Sequence, residues 1–207
     1  NAPLSAAVES DIVGYTTITT TPGFNMVGVV FNGLDGKEMP LGEIVSGEFQ
    51  EGDEIQVYVK GGNYQVYTYW NDLGWLDGNF TEAKTPLALG TAFWLKTPSR
   101  SVEVTLKGAV LTGEYKYESI TGLQMVALGV PKTFDLNKDL TWEGLTDGDE
   151  IQIREGNDYT TYTYWKDYGG WLDGGFNPAD QEVPIGASIW LQTAKAGATI
   201  IARSLNN

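Results

Sequence analysis

The chain repeats itself. Gly52-Asp53-Glu54-Ile55-Gln56 returns as Gly148-Asp149-Glu150-Ile151-Gln152, and Tyr67-Thr68-Tyr69-Trp70 as Tyr162-Thr163-Tyr164-Trp165. Gly74-Trp75-Leu76-Asp77-Gly78 returns as Gly170-Trp171-Leu172-Asp173-Gly174. Leu89–Leu95 aligns with Ile185–Leu191, and Gly23–Val27 with Gly122–Val126. The order is kept throughout and the offset stays between 95 and 99 residues. Ordered self-similarity at such a period means one folding unit used twice, with insertions confined to loops. The units are assigned to 1–107 and 108–207.

Within each unit the apolar pattern has a period of two, which marks strands with one buried face. In Glu54–Val59, the residues Ile55, Val57 and Val59 alternate with Glu54, Gln56 and Tyr58. Ile151 and Ile153 alternate with Gln152 and Arg154 in the copy. Further strands are expected at Ile12–Thr19, Phe24–Phe31, Tyr64–Trp70, Thr91–Lys96 and Val102–Leu106. Their counterparts are Glu114–Ile120, Leu123–Val130, Tyr159–Trp165, Ala187–Gln192 and Thr199–Ala202. Gly61-Gly62-Asn63, Gly156-Asn157-Asp158, Asp77-Gly78 and Asp173-Gly174 are turn sequences, because their residues tolerate positive φ or bond their own backbone. Short helical turns fit Leu41–Val45 and Leu136–Leu140. The predicted fold is all-β: two tandem, pseudo-symmetric, antiparallel barrels or sandwiches of about six strands each. No Gly/Ser/Pro linker separates the units, so they should abut.

The chemistry available to this chain is narrow. It has no cysteine and no histidine, which excludes disulfides, thiolate or imidazole ligands and Ser–His or Cys–His catalysis. Its formal charge of −14 is spread over both halves and provides no basic footprint for nucleic acid or an anionic membrane. No apolar run approaches the ~18–20 residues of a membrane helix. Repeated carboxylates exist at Asp53, Glu54 and Asp77 and at Asp149, Glu150 and Asp173. Their Gly-Asp-Glu and Leu-Asp-Gly settings point to turn capping rather than to a catalytic pair. Neither Asp147-Gly148-Asp149-Glu150 nor Glu51-Gly52-Asp53-Glu54 fits a calcium-loop spacing. The reading is therefore non-enzymatic, with no metal and no cofactor.

Aromatic residues carry the strongest functional signal. Of seven tryptophans, all but Trp142 fall in matched pairs: Trp70/Trp165, Trp75/Trp171 and Trp94/Trp190. Trp94 shares a strand face with Lys96, and Trp190 with Gln192. A half-exposed tryptophan presents a flat apolar face with a hydrogen-bonding edge. Candidate ligand residues are therefore Trp75, Trp94, Trp171 and Trp190, stacking on sugar rings, with Asp77 and Asp173 accepting from hydroxyls. Core packing or contact between the units would use the same rings.

The succession Val-Gly-Tyr, Gly-Phe-Asn-Met, Gly-Asp-x-Ile, Tyr-x-x-Tyr-Thr-Tyr, Gly-Trp-x-Asp and Gly-x-Ala-Phe-Trp-Leu, followed by Pro and Ser-Val-x-Val, resembles repeats of exported bacterial proteins. Those repeats stand beside surface-anchoring or adhesin-like segments. The second unit departs from the pattern at Gly122-Leu123 and Ser188-Ile189. The resemblance implies an extracytoplasmic β module and transfers no site residue. An N-terminus of Asn1 with an Ala/Ser-rich lead is likewise what a secreted protein shows after signal removal. The expected function is a structural or adhesion-type module whose partner is a protein, another copy of itself or the cell envelope. The alternative is a carbohydrate-binding module.

Overall fold

The computed structural model describes residues 12–204. The Ala/Ser-rich lead lies outside them. Strand accounts for 53% of the structure and helix for 5%, so sheets alone build the body. The first half carries β1 (Val13–Thr19), β2 (Gly23–Gly28), β3 (Met39–Pro40), helix α1 (Leu41–Ile44), β4 (Val45–Gly47), β5 (Glu54–Val59), β6 (Asn63–Trp70), β7 (Gly74–Leu76), β8 (Pro86–Leu87), β9 (Ala92–Thr97) and β10 (Glu103–Ala109). The second carries β11 (Glu114–Glu118), β12 (Gly122–Ala127), β13 (Phe134–Asp135), β14 (Leu140–Glu143), β15 (Glu150–Glu155), β16 (Asp158–Trp165), β17 (Gly170–Leu172), β18 (Glu182–Val183), β19 (Ser188–Thr193) and β20 (Thr199–Arg203).

Each half builds the same three antiparallel sheets. A five-stranded sheet runs β2-β9-β5-β6-β7, with β12-β19-β15-β16-β17 as its copy. A three-stranded sheet runs β1-β10-β4, with β11-β20-β14 as its copy. A two-stranded ribbon, β3-β8 or β13-β18, completes each set. The expected barrels or sandwiches are not what forms. No sheet closes on itself, and the four larger sheets stand in a four-bladed, propeller-like arrangement. The reason lies in β1, which passes over its sequence neighbour β2 and pairs with β10 from Val13↔Ala109 to Thr19↔Glu103. That long-range pairing draws the first and last strands of the unit into a sheet of their own. The expected six strands per unit become ten, because two- and three-residue strands such as β3, β7 and β8 are too short to show a period.

The apolar alternation explains the cores. In the first half Ile55, Tyr67, Phe93 and Leu95 of the five-stranded sheet meet Val104, Leu106 and Val45 of the three-stranded sheet, with Leu41 and Ile44 of α1. Ile151, Tyr162, Ile189, Leu191, Ile200 and Ala202 repeat this in the second half. The helical turn expected at Leu41–Val45 is present; the one expected at Leu136–Leu140 is not. There, Asp135 Oδ1 accepts from the backbone N–H groups of Asn137 and Lys138, a local bond that competes with helix formation.

A third apolar cluster joins the halves: Met26, Tyr58 and Ala92 against Met125 and Ala127. It explains why Tyr58 is buried although the alternation puts it on the outward face of β5, while Val59, at the strand end, is exposed. Close approach is enforced at Gly28, where a β-carbon would lie 2.3 Å from the Ala127 Cβ. Gly28 N–H donates to the Gly186 carbonyl (2.8 Å), the Ser188 hydroxyl to the Val27 carbonyl (2.5 Å), and Lys60 Nζ to the Glu118 carbonyl (2.6 Å). Tyr115 lies against Gly90 and Gly129 from opposite halves, and burial raises its hydroxyl pKa to about 12.

Candidate aromatic binding surfaces

The structure gathers the aromatic side chains in three places with different exposures. The first is the junction of the halves. Trp94 and Trp190 face each other there with ring centroids 6.3 Å apart. Phe24 and Tyr58 meet their edges at 5.7 and 6.1 Å. The Arg154 guanidinium stands 5.1 Å over Trp94, a cation–π contact across the junction. Both indoles are half-buried and packed on the Met26–Met125 cluster. These two candidate platforms thus meet each other at a tilt of 57° and rest on the cluster that joins the halves.

Trp75 and Trp171 are also not open platforms. Trp75 is 6% exposed and Trp171 fully buried, each ringed by neighbours at T-shaped angles. Their strands explain it: Trp75 pairs with Tyr69 and Trp171 with Tyr164, on the faces turned to the cores. Asp77 and Asp173 sit where the turn reading put them. Asp77 Oδ1 accepts from the N–H groups of Asn79 and Thr81, both at 2.9 Å. Asp173 Oδ1 accepts from those of Gly175 and Asn177, both at 2.8 Å. Backbone and side-chain donors of Asn177 hold the Asp173 carboxyl below its ordinary range. Both carboxylates shape a turn through Oδ1, and the Asn177 side chain also donates to Oδ2 of Asp173.

What that turn presents is the second gathering. Phe80 and Phe176, three residues past each aspartate, have φ of 59° and 62°. A bulky L-residue in the left-handed region is a genuine outlier, with a cost of about 1–3 kcal/mol. Both rings nevertheless stand out in solvent, at 68% and 58% exposure. Each leans on the tryptophan that closes the preceding long strand: Phe80 on Trp70 at 5.3 Å, Phe176 on Trp165 at 6.2 Å. Tyr168, exposed, joins the second pair 5.9 Å from Phe176; Leu73, at the matching turn of the first half, is likewise exposed and also borders the groove lined by Phe49. The sequence reading recognised Trp70/Trp165 as a pair but missed these clusters. The signal was present in Leu-Asp-Gly-Asn-Phe and Leu-Asp-Gly-Gly-Phe, whose phenylalanines recur at the same offset as the aspartates.

The third gathering exists in one half only in this form. Phe49, Tyr69 and Trp75 form the aromatic wall of an open groove of about 630 Å³, with Glu43, Glu82 and Lys84 around it. Phe49 contacts Trp75 at 4.9 Å and Tyr69 at 5.8 Å. In the second half the ring on Trp171 comes instead from Trp142, at 5.0 Å, with its indole N–H donated to the Leu136 carbonyl. Register explains the difference. Val104 pairs with Gly47, whereas its counterpart Ile200 pairs with Trp142. Glycine therefore stands where the copy has an indole, and Phe49 folds back to the place that indole would take.

Among the described residues no three acidic side chains gather to hold a cation, and no helix is long and apolar enough to cross a membrane. Comparison of the chain with protein-family models, with curated proteins and with solved structures finds no match. The resemblance to repeats of exported bacterial proteins finds no support among them. Function must be read from the chain's own geometry.

Proposed function

We propose that this protein is a non-enzymatic, adhesion-type module that binds neutral glycans through two matched surface clusters. One is Trp70, Leu73 and Phe80; the other is Trp165, Tyr168 and Phe176. The carrying observation is the pair of phenylalanines held at positive φ and exposed in both halves. Exposing a large ring and straining its backbone both cost stability, and a core-packing role explains neither. Strain of this kind concentrates at binding sites, where surrounding structure holds the residue in place. Flat apolar faces at a polar edge suit the C–H face of a pyranose. Two such faces on one body gain avidity for a repeating polymer without any new contact.

The junction between the halves supports this reading in a second way. The halves are joined by a packed apolar cluster and by hydrogen bonds, so the spacing of the two clusters is set by the fold. An array of neutral plant, mucin and microbial oligosaccharides, probed with the whole chain, tests the proposal. The account expects binding to at least one glycan class. It expects Trp70→Ala with Trp165→Ala to weaken that binding by about tenfold or more, the equivalent of ~1.4 kcal/mol. An array that stays blank, or binding that ignores both substitutions, refutes it.

A further inference from the structure

We propose that the groove of the first half is a separate site that takes a protonated amino sugar, its ring face laid on Phe49, Tyr69 and the edge of Trp75, its ammonium balanced by Glu43. Three observations meet here. The groove has the volume of a small-ligand site, and aromatic rings line one wall of it. Its charge is one-sided: Lys84 lies 3.0 Å from Glu82, whereas Glu43 forms no ion pair or hydrogen bond among the described residues. The groove therefore carries an uncompensated carboxylate beside aromatic faces, a combination that favours a cation with an apolar body. The chain's charge of −14 adds a field that raises the local concentration of cationic ligands.

The third observation is the asymmetry between the halves. In the second half Trp142 covers Trp171 and Leu145 holds the sequence position of Phe49; in the first, the smaller Phe49 ring takes the indole's place on Trp75 and leaves the groove open beside it. In the first half Gly47 has no side chain to put there, and a β-carbon would already lie 2.8 Å from the Glu103 carbonyl and 3.2 Å from the Phe49 ring. The two halves share a fold, so folding alone does not require the groove. It is one feature that makes the first half chemically unlike the second. This site differs from the neutral-glycan clusters in charge and number, and shares only Leu73 with the first of them.

The double variant Gly47→Trp/Phe49→Leu places in the first half the side chains that the second half carries at these positions, and requires β4 to move away from the Glu103 carbonyl. Calorimetric titration compares a fully deacetylated glucosamine trimer with its N-acetylated counterpart at about pH 6, where such amines are protonated. The expected result is one bound equivalent of the amino trimer and at least tenfold weaker binding of the acetylated one. Added salt should weaken the amino trimer's binding. The double variant should abolish it, and Glu43→Gln should weaken it about fivefold. Equal binding of the two trimers overturns the proposal, as does no binding of either. Undiminished binding by Glu43→Gln also overturns it; that variant changes an exposed, unpaired side chain and keeps the readout valid should the double variant misfold. Trp70→Ala leaves this titration unchanged, so this proposal and the neutral-glycan reading fail separately.

Discussion

Replacing Phe80 separates strain from packing. At φ 59° an L-residue costs about 1–2 kcal/mol that glycine avoids. The ring is 68% exposed, so only about a third of its burial energy is at stake, roughly 0.5–1 kcal/mol. Its contact with Trp70 adds about 0.5–1.5 kcal/mol. Glycine also enlarges the entropy of the unfolded chain, by about 0.5–1 kcal/mol. These contributions nearly cancel for Phe80→Gly, which should lie within roughly 1 kcal/mol of the parent. Phe80→Ala loses the same ring and keeps the strain, so it should be less stable than Phe80→Gly by about 1 kcal/mol, against the usual order of the two residues. Denaturant midpoints at unchanged slope measure this, and a neutral-glycan titration of the same samples measures function. Both variants should lose the first cluster's binding. If Phe80→Ala proves the more stable, the backbone is not strained. If both lose more than about 3 kcal/mol, the ring is structural and the argument from exposure fails.

Gly28→Ala drives a methyl into Ala127 and should cost about 1–3 kcal/mol; adding Ala127→Gly should restore the denaturant midpoint, because the two positions face each other across the junction. Among the described residues the buried Tyr67 hydroxyl has no hydrogen-bond partner, whereas that of Tyr162 donates to Asp180 at 3.3 Å. Tyr67→Phe should therefore be neutral or stabilising, and Tyr162→Phe should cost about 1 kcal/mol by urea titration. Burial favours the neutral form of Tyr115, whose folded pKa of about 12 stands above the ordinary value of 10.0. The unfolded chain thus gives up this proton first, and stability present below about pH 10 should fall as pH rises towards 12. Thermal melts across that window should show the fall, and Tyr115→Phe should make it shallower.

The legible part of this fold was local and periodic. Glu54–Val59 reads as a strand because its apolar residues alternate, and the boundaries observed for β5 are the same. The duplication told where the second copy of each strand would lie. Sheet membership was not legible, because the pairing of β1 with β10 spans about ninety residues and leaves no mark in either segment's pattern. The burial of Tyr58 was hidden for a related reason: what covers it belongs to the other half. At the candidate sites, tryptophan pairs could be found but not sorted. Trp75 and Trp94 have much the same local sequence character, and only the register places one on a core face and the other at the junction. The exposure of Phe80 depends on a backbone angle that no side-chain pattern encodes. The open groove depends on one glycine, Gly47, whose counterpart becomes clear only when β10 and β20 are superposed by register.

The most direct measurement is the stoichiometry of neutral-glycan binding by the whole chain, followed by calorimetry with an oligosaccharide too short to bridge two sites. Two matched clusters predict two equivalents per chain, falling to one when Trp70 and Phe80 are both replaced by alanine and to none when Trp165 and Phe176 are replaced as well. A single equivalent that survives all four substitutions would place the ligand elsewhere and contradict the account.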